Sequence, residues 1–492
     1  MKREMTRKRI FPLQLMLIAT VLLVSAISVH ATIINVPSYQ PTIQAGIDAA
    51  AHGDTVSLAA GIYTENIVIE DKLLTLMSVS GQDSTFIEPE HADSSILTVL
   101  SSEYTLPLRG LTFRNGEADE GAAIRSFYRS LDLRECNILE CDARYYAGIN
   151  VDSGAFHAAH CMFEDNSAIR TSVINIRTSE AVIDSCSFLR NTSSAEYGGS
   201  GGTICIAYGS VTIESCTFED NQGCHSTVLN SQEASISLNN CTIRRGRKGD
   251  CLYDVWYTTA GSIAAYMGPI HVSNCLFEGL DHIAIGTFGN LIEIHNSTIV
   301  DNYVGIFTDV FCGPGIQIEN SIIANNEYKL MYIMEGSLEL MQISSTDIYG
   351  NLNGDWVDDF ELLVDSNGNF SADPRFCDPD NGDYHIDAYS FCAPEYSPNG
   401  ELVGALGVGC QTDIICGDPN ISGGIDIDDV VYLIDYLFLG GMPPMPVASG
   451  DVDCLGGIDI DDAVYLIMYI FQGGNSPCDP NGDGEPDCGL SL

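Results

Sequence analysis

The chain has 492 residues, 45% hydrophobic and 18% charged, a composition that suits globular structure and a length that suits more than one domain. Lys and Arg total 21 against 67 Asp and Glu, a formal net charge of −46. So acidic a surface repels phosphate backbones, which excludes nucleic acid as a partner, and it favours cations such as Ca²⁺.

The few basic groups are unevenly placed. Lys2, Arg3, Arg7, Lys8 and Arg9 cluster at the start, and nothing basic follows Arg375. With the apolar stretch 10–27 and the small residues of Val29-His30-Ala31, residues 1–31 read as a secretory signal. Pro12 and Gln14 break the apolar stretch and leave it short for a spanning helix, so an uncleaved anchor is the competing reading. Cleavage would take the formal charge to −50 and leave no membrane contact, since no later segment is long and apolar enough to span. Export also permits disulfides among the 18 cysteines.

Pro41 opens a helical stretch at 42–51 with Ile43, Ile47 and Ala50 on one face, and Gly53-Asp54 turns it into the strand 55–58. A tripeptide then recurs: a small residue or Cys, any residue, then Phe or Ile. It begins at Leu111, Cys136, Cys161, Cys186, Cys216, Cys241, Cys275, Ser297, Ser321 and Thr346, at steps of 25, 25, 25, 30, 25, 34, 22, 24 and 25. An Asn follows in many copies: Asn166, Asn191, Asn221, Asn302 and Asn326. The segments are rich in Ile, Val, Thr, Ser and Phe and often alternate in polarity, which is strand composition. Three short strands and three turns consume one such period and close one coil, and coils stack about 4.8 Å apart. The spacing therefore predicts an all-β solenoid over 32–410. Cys136, Cys161, Cys186, Cys216, Cys241 and Cys275 form an inward ladder of small thiols, and the Asn residues form a turn ladder. Disulfides along that column are disfavoured, because parallel Cβ vectors suit the S–S torsion poorly.

The entry run 42–50, Gly53-Asp54-Thr55-Val56 and Gly61-Ile62-Tyr63-Thr64-Glu65-Asn66-Ile67 resembles that of bacterial right-handed parallel β-helix proteins, the pectate lyase-like superfamily. Asp378-Pro379-Asp380-Asn381-Gly382-Asp383-Tyr384-His385 and Gly404-Ala405-Leu406-Gly407 resemble that superfamily's last coils. The resemblance implies a right-handed single-stranded β-helix with an N-terminal capping helix, and it implies polysaccharide as the substrate class.

The catalytic segments of such enzymes are mostly missing. No Gly-His-Gly or Arg-Ile-Lys segment of polygalacturonases is present, and the later Gly-x-x-Asp-Phe-type segment of pectin esterases is absent. A lyase needs a basic residue beside carboxylates that hold Ca²⁺ on a uronate. The longest coil, between Cys241 and Cys275, supplies candidates: Arg244, Arg245, Arg247, Lys248, Asp250 and Asp254 for catalysis, Trp256 and Tyr257 for sugar rings. The bland alternative is a loop whose charges pair with neighbouring acids. His157, His160, His271, His282 and His295 lack ligand spacing.

From 411 the pattern changes. Gly424-Ile425-Asp426-Ile427-Asp428-Asp429 recurs 33 residues later as Gly457-Ile458-Asp459-Ile460-Asp461-Asp462, each running into an apolar helix that stops at Gly-Gly. The preceding loops have calcium spacing. The first offers Asp418, Asn420, Ser422, the Gly424 carbonyl, Asp426 and Asp429, with Gly423 at the turn. The second offers Asp451, Asp453, the Gly457 carbonyl, Asp459 and Asp462, with Leu455 in place of one ligand. Acidic helix N-termini that merely suit the dipole are the alternative. Two calcium loops, each with one helix, over 411–478 resemble a type I dockerin, which implies a cohesin-type scaffold partner. The module departs from that family in lacking any Lys or Arg, and Ile427, Asp428, Ile460 and Asp461 stand at the late loop positions. The tail 479–492 is another oxygen-rich fragment, bracketed by Cys478 and Cys488. Cys377, Cys392, Cys410, Cys416, Cys454, Cys478 and Cys488 are the expected disulfide formers, in undetermined pairing.

The reading is thus a secreted, carbohydrate-associated β-helix that binds or degrades polysaccharide as a lyase or glycoside hydrolase, tethered by a calcium-dependent module. A non-catalytic extracellular structural or adhesion protein is the alternative.

Overall fold

The computed structural model describes residues 31–478 except 101–103, 170–171, 178–179, 195–201, 225, 250–260, 289–290, 310–314, 335–340, 357–360 and 365, together with residue 488. The expected signal segment and most of the tail lie outside the described residues. Among the described residues no helix is long and apolar enough to cross a membrane.

The repeats close into a parallel β-solenoid. Its first sheet has 13 strands, from Ile33–Val36 to Met341–Ser344. Its second has 12, from Gly61–Thr64 to Asp347–Tyr349, and its third has 16, several of them very short. Every pairing in these three sheets is parallel and joins one coil to the next, as in Ile138↔Phe163↔Phe188↔Phe218↔Ile243. Burial alternates along the strands because successive side chains point to opposite faces. Like residues therefore stack in the core. Phe163, Phe188 and Phe218 lie ring on ring, with centroids 4.7 and 4.6 Å apart, each contact contributing about 1 kcal/mol beyond its burial.

Both expected ladders are present. The six periodic thiols are free, buried and aligned at the turn between the first and second sheets. They are more than apolar filler. Cys161, Cys186 and Cys241 each donate a backbone amide to the next thiol at 3.3–3.4 Å, and Ser297 and Ser321 accept in the same way further along. The Asn ladder turns the chain between the second and third sheets. Asn191 donates its side-chain amide to the Phe163 carbonyl and to Asn221, and its oxygen accepts from Asn166.

The capping helix α1, Ile43–Ala49, starts at Thr42, whose hydroxyl accepts the Ala45 amide, and it buries Ile43 and Ile47 against the first coil. The opposite region differs from the sequence expectation. Parallel stacking runs on as far as Phe370, which bridges Asp347, and the chain to residue 410 then forms a cover rather than further coils. A three-stranded sheet (Phe376–Asp378, Asp383–Asp387, Val408–Cys410) contains an antiparallel pair and is closed by the Cys377–Cys410 disulfide. This cover packs Phe370, Tyr384, Ile386 and Val403 on Leu276, Val300, Ile322 and Ala324, the outward apolar residues of the second sheet. Glycines and short polar repeats look alike in a coil and in a cover, so only the apolar outer face of the late second-sheet strands signals the difference.

The C-terminal module has two helices, α2 (Ile427–Ile434), followed by a wider turn to Leu439, and α3 (Ile460–Gln472). Gly440 and Gly473 end them in the left-handed conformation, as their Gly-Gly pairs predict. The core is small: Val430, Leu433, Val452, Ala463 and Leu466. Cys416–Cys488 and Cys454–Cys478 brace it, whereas Cys392 is free and buried in the cover, contrary to its expected pairing. Cys224 is also disulfide-bonded, which the sequence reading did not anticipate.

Candidate functional site

The outer face of the third sheet carries a groove. Ile149, Val151, Ile174, Ile176, Ile204 and Ile206 point inward at 0% exposure, so the residues between them point out. Asn150, Asn175, Cys205 and Asn230 stand in register on successive coils, and the Asn175 amide donates to the Asn150 oxygen at 2.8 Å. Asp152, Arg177, Ala207 and Gln232 form the next row. Arg177 donates to the Tyr146 hydroxyl at 2.8 Å and lies 5.9 Å from that ring's centre. With the exposed Tyr208 these residues, apart from the buried Asn150, line a cleft of about 380 Å³. A flat floor of uncharged amides, flanked by tyrosines and one guanidinium, offers donors and acceptors to hydroxyls and ring faces to apolar patches.

The cationic cluster expected in the long coil is dispersed. Arg245 holds a left-handed turn position and pairs with Glu219 and Asp220 on the preceding coil. Arg190 does the same with Glu164 and Asp165, so Arg245 belongs to a repeating structural bridge. Arg244 faces the cover instead, 3.1 Å from Glu278, whose carboxyl is raised above its ordinary range by burial. Beside it Tyr384 donates to Asp301 at 2.6 Å, and burial raises Asp301 as well. Arg247 and Lys248 are exposed on a two-residue edge strand of the third sheet. Among the described residues the four cations thus turn to different neighbours. Asp250, Asp254, Trp256 and Tyr257 lie outside the described residues.

In the C-terminal module the acids of the second loop converge. Asp451, Asp453 and Asp462 bring one carboxylate oxygen each within 4.8 Å of one another. Asp462 accepts the Val452 and Asp453 amides through one oxygen and the Asp459 amide through the other, while Asp451 Oδ1 is buried without a partner. Leu455 is 86% exposed and adds no side-chain ligand. In the first loop Asp418 is buried and accepts the Ser422 and Gly423 amides, and Asn420 also accepts from Ser422. Asp429 is fully buried with Oδ1 unpartnered. Burial, with Asp418 and Asp426 alongside, pushes its carboxyl up to about 7. Asp426 and Asp459 also cap their helices, in reciprocal boxes with Asp429 and Asp462, so the dipole-suited reading and the ligand reading coexist in the same residues. The set fits a hard divalent cation. Oxygen donors alone face inward, and two of them are orphaned until a positive charge arrives.

Residues 172–353 match the family described as right handed beta helix region. The fold is a right-handed parallel β-helix. No curated protein matches by sequence. Among solved structures the chain is similar to a mutant of the PL6 family alginate lyase AlyGC, at TM-score 0.42 and 14% identity over 79% of this chain and 60% of that one. It is also similar to pectate lyase Pel9A (TM-score 0.41, 10% identity, 74% and 90% covered) and to the mannuronan C-5 epimerase AlgE4 A-module of Azotobacter vinelandii (0.34, 13%, 63% and 93% covered). The chain spans about three fifths of the length of the alginate lyase.

The groove escaped sequence reading although it left a trace. Asn150, Asn175, Cys205 and Asn230 each precede a ladder cysteine by eleven positions.

Proposed function

We propose that this protein is a secreted glycan-binding β-helix held to a protein partner by a calcium-loaded, dockerin-like module. The observation that carries the reading is the third-sheet groove, where the in-register amides of Asn175 and Asn230 lie beside Tyr146, Tyr208 and Arg177. Successive coils present these groups at the strand spacing, about 4.8 Å, so about one coil matches one sugar residue of an extended chain. Binding rather than cleavage is favoured because Arg244 and Arg245 of the long coil are committed to neighbouring acids.

The calcium reading rests on the orphaned carboxylate oxygens of Asp429 and Asp451. Asp418, Asn420, Ser422, the Gly424 carbonyl, Asp426 and Asp429 would hold one ion, and Asp451, Asp453, the Gly457 carbonyl, Asp459 and Asp462 the other. Bound calcium supplies charge that lets these carboxylates sit together, and the loops then fix the angle of α2 and α3. The docking reading rests on two matching exposed stripes, Ile427, Val431 and Phe438 on the first copy and Ile460, Val464 and Phe471 on the second. Each pair of equivalents is 33 positions apart, so a cohesin-type partner meets nearly the same apolar face in either orientation. The disulfides of the cover and the module suit an exported protein.

Affinity electrophoresis of the full chain through a panel of soluble polysaccharides, with calcium present, tests the reading. Retardation by at least one glycan is expected. Ultraviolet absorbance and reducing-end assays on the same mixtures report cleavage. Free migration through the whole panel would overturn the proposal.

A further inference from the structure

A second cleft lies where the cover meets the C-terminal module. It encloses about 530 Å³ and is distinct from the third-sheet groove. Pockets of this size hold small organic ligands, and one or two sugar rings fit. Its most telling group is Arg375, the last basic residue of the chain, which faces a module that has none.

The Arg375 guanidinium is poorly satisfied. Its Nε is buried without a hydrogen-bond partner, and the nearest carboxylate oxygen, Asp387 Oδ1, is 3.9 Å away. That carboxylate is already engaged. Oδ1 accepts the Tyr389 amide at 2.8 Å, and Oδ2 accepts the Thr412 amide and hydroxyl at 2.6 and 2.7 Å. A buried charged donor left unpaired is costly, and a planar fork is best satisfied by a carboxylate. Two acids, Asp373 and Asp387, also border the cleft and oppose any anion, so the single guanidinium can hold one carboxylate charge but not a phosphate dianion. The body of the ligand is set by the walls. Tyr389 stands on the cover side and Tyr432 on the module side, rings suited to the apolar face of a sugar.

The module wall includes Asn420 and Ile421. Asn420 stands at the third position of the first loop, and Ile421 holds a left-handed backbone, φ 51°, that the loop imposes. We infer that this cleft is a second ligand site, taking a small ring-shaped monocarboxylate of the sugar-acid class, and that filling the first loop with calcium shapes one of its walls. The calcium part rests on the loop reading given above. The carboxylate part stands without it. Coupling of this kind is reciprocal: the sugar acid tightens calcium as calcium tightens the sugar acid.

The test is calorimetry on the full, calcium-loaded chain with galacturonate, galactose and inorganic phosphate as probes. Galacturonate is expected to bind about tenfold or more tightly than either of the others, and Arg375→Gln to lose about tenfold. Tyr389→Leu keeps the guanidinium and is expected to weaken galacturonate severalfold, which guards against an Arg375 variant that fails to fold. Equal binding of galactose and galacturonate, or full affinity in folded Arg375→Gln, overturns the site. Chelation is expected to weaken galacturonate. If it does not, while a parallel titration shows calcium binding, the coupling is overturned. If no calcium binds at all, the loop reading fails, and Arg375-dependent binding still decides the site.

Discussion

The backbone amide of Cys161 donates to the sulfur of Cys186 across 3.4 Å, from one coil to the next. The contact turns a column of thiols into a chain of acceptors, which serine continues at Ser297 and Ser321. Substitution should therefore follow hydrogen-bonding capacity. Cys186→Ser is expected to cost under about 1 kcal/mol, and Cys186→Val, which orphans the buried Cys161 amide, about 1–3 kcal/mol. Urea unfolding midpoints of the two variants check the order.

Asn191 carries more. It is 1% exposed, accepts from Asn166 and donates to Phe163 and Asn221. Asn191→Ala removes these bonds and leaves the Phe163 carbonyl and the Asn166 amide unpaired, at an expected cost of about 2–4 kcal/mol. An exposed groove-rim change such as Tyr208→Ala is expected to cost about 0.5 kcal/mol or less in the same assay.

These columns were legible because a near-constant period forces equal positions to touch, so Cys136 through Cys275 announce their own contacts. The acceptor role of the thiols was not, since cysteine composition alone suggests apolar filling. The convergence of the loop acids was equally local and equally readable in Asp451, Asp453 and Asp462. The groove was harder. Its floor residues come from coils of unequal length, so Asn175 and Asn230 look unrelated until the third-sheet register, or their equal distance from the next ladder cysteine, aligns them. The basic run 244–248 misled for the opposite reason: four adjacent cations in sequence straddle a turn, and the fold sends Arg244 and Arg245 to different neighbours.

Asp347 predicts a pH dependence. It is fully buried under the cover, accepting the Ala372 amide at 3.0 Å and the Cys392 thiol at 3.4 Å. Burial raises its carboxyl well above the ordinary value, and Asp373 and Asp355 add to the effect. The folded chain then holds a proton that the unfolded chain releases near about pH 4, so stability is full below that value and falls as pH rises toward the folded pKa. Asp347→Asn keeps one acceptor and cannot ionise. It is expected to flatten that slope, measured as the urea midpoint at about pH 5 and about pH 8.

Chelation tests the module. Calcium at about one hundred times its dissociation constant contributes about 2.7 kcal/mol of stability per site, all of which a chelator should remove. Asp429→Ala is expected to abolish binding at the first loop alone, and Asp462→Ala at the second alone. Calorimetric stoichiometry on the full chain reports which site is lost.

Glycan recognition by the third-sheet groove is the central claim, and titration of the best-retarded polysaccharide against the wild type, Tyr208→Ala and Arg177→Gln measures it directly. Each variant is expected to weaken binding about tenfold or more while leaving the thermal transition in place. Unchanged affinity in both folded variants would contradict the claim.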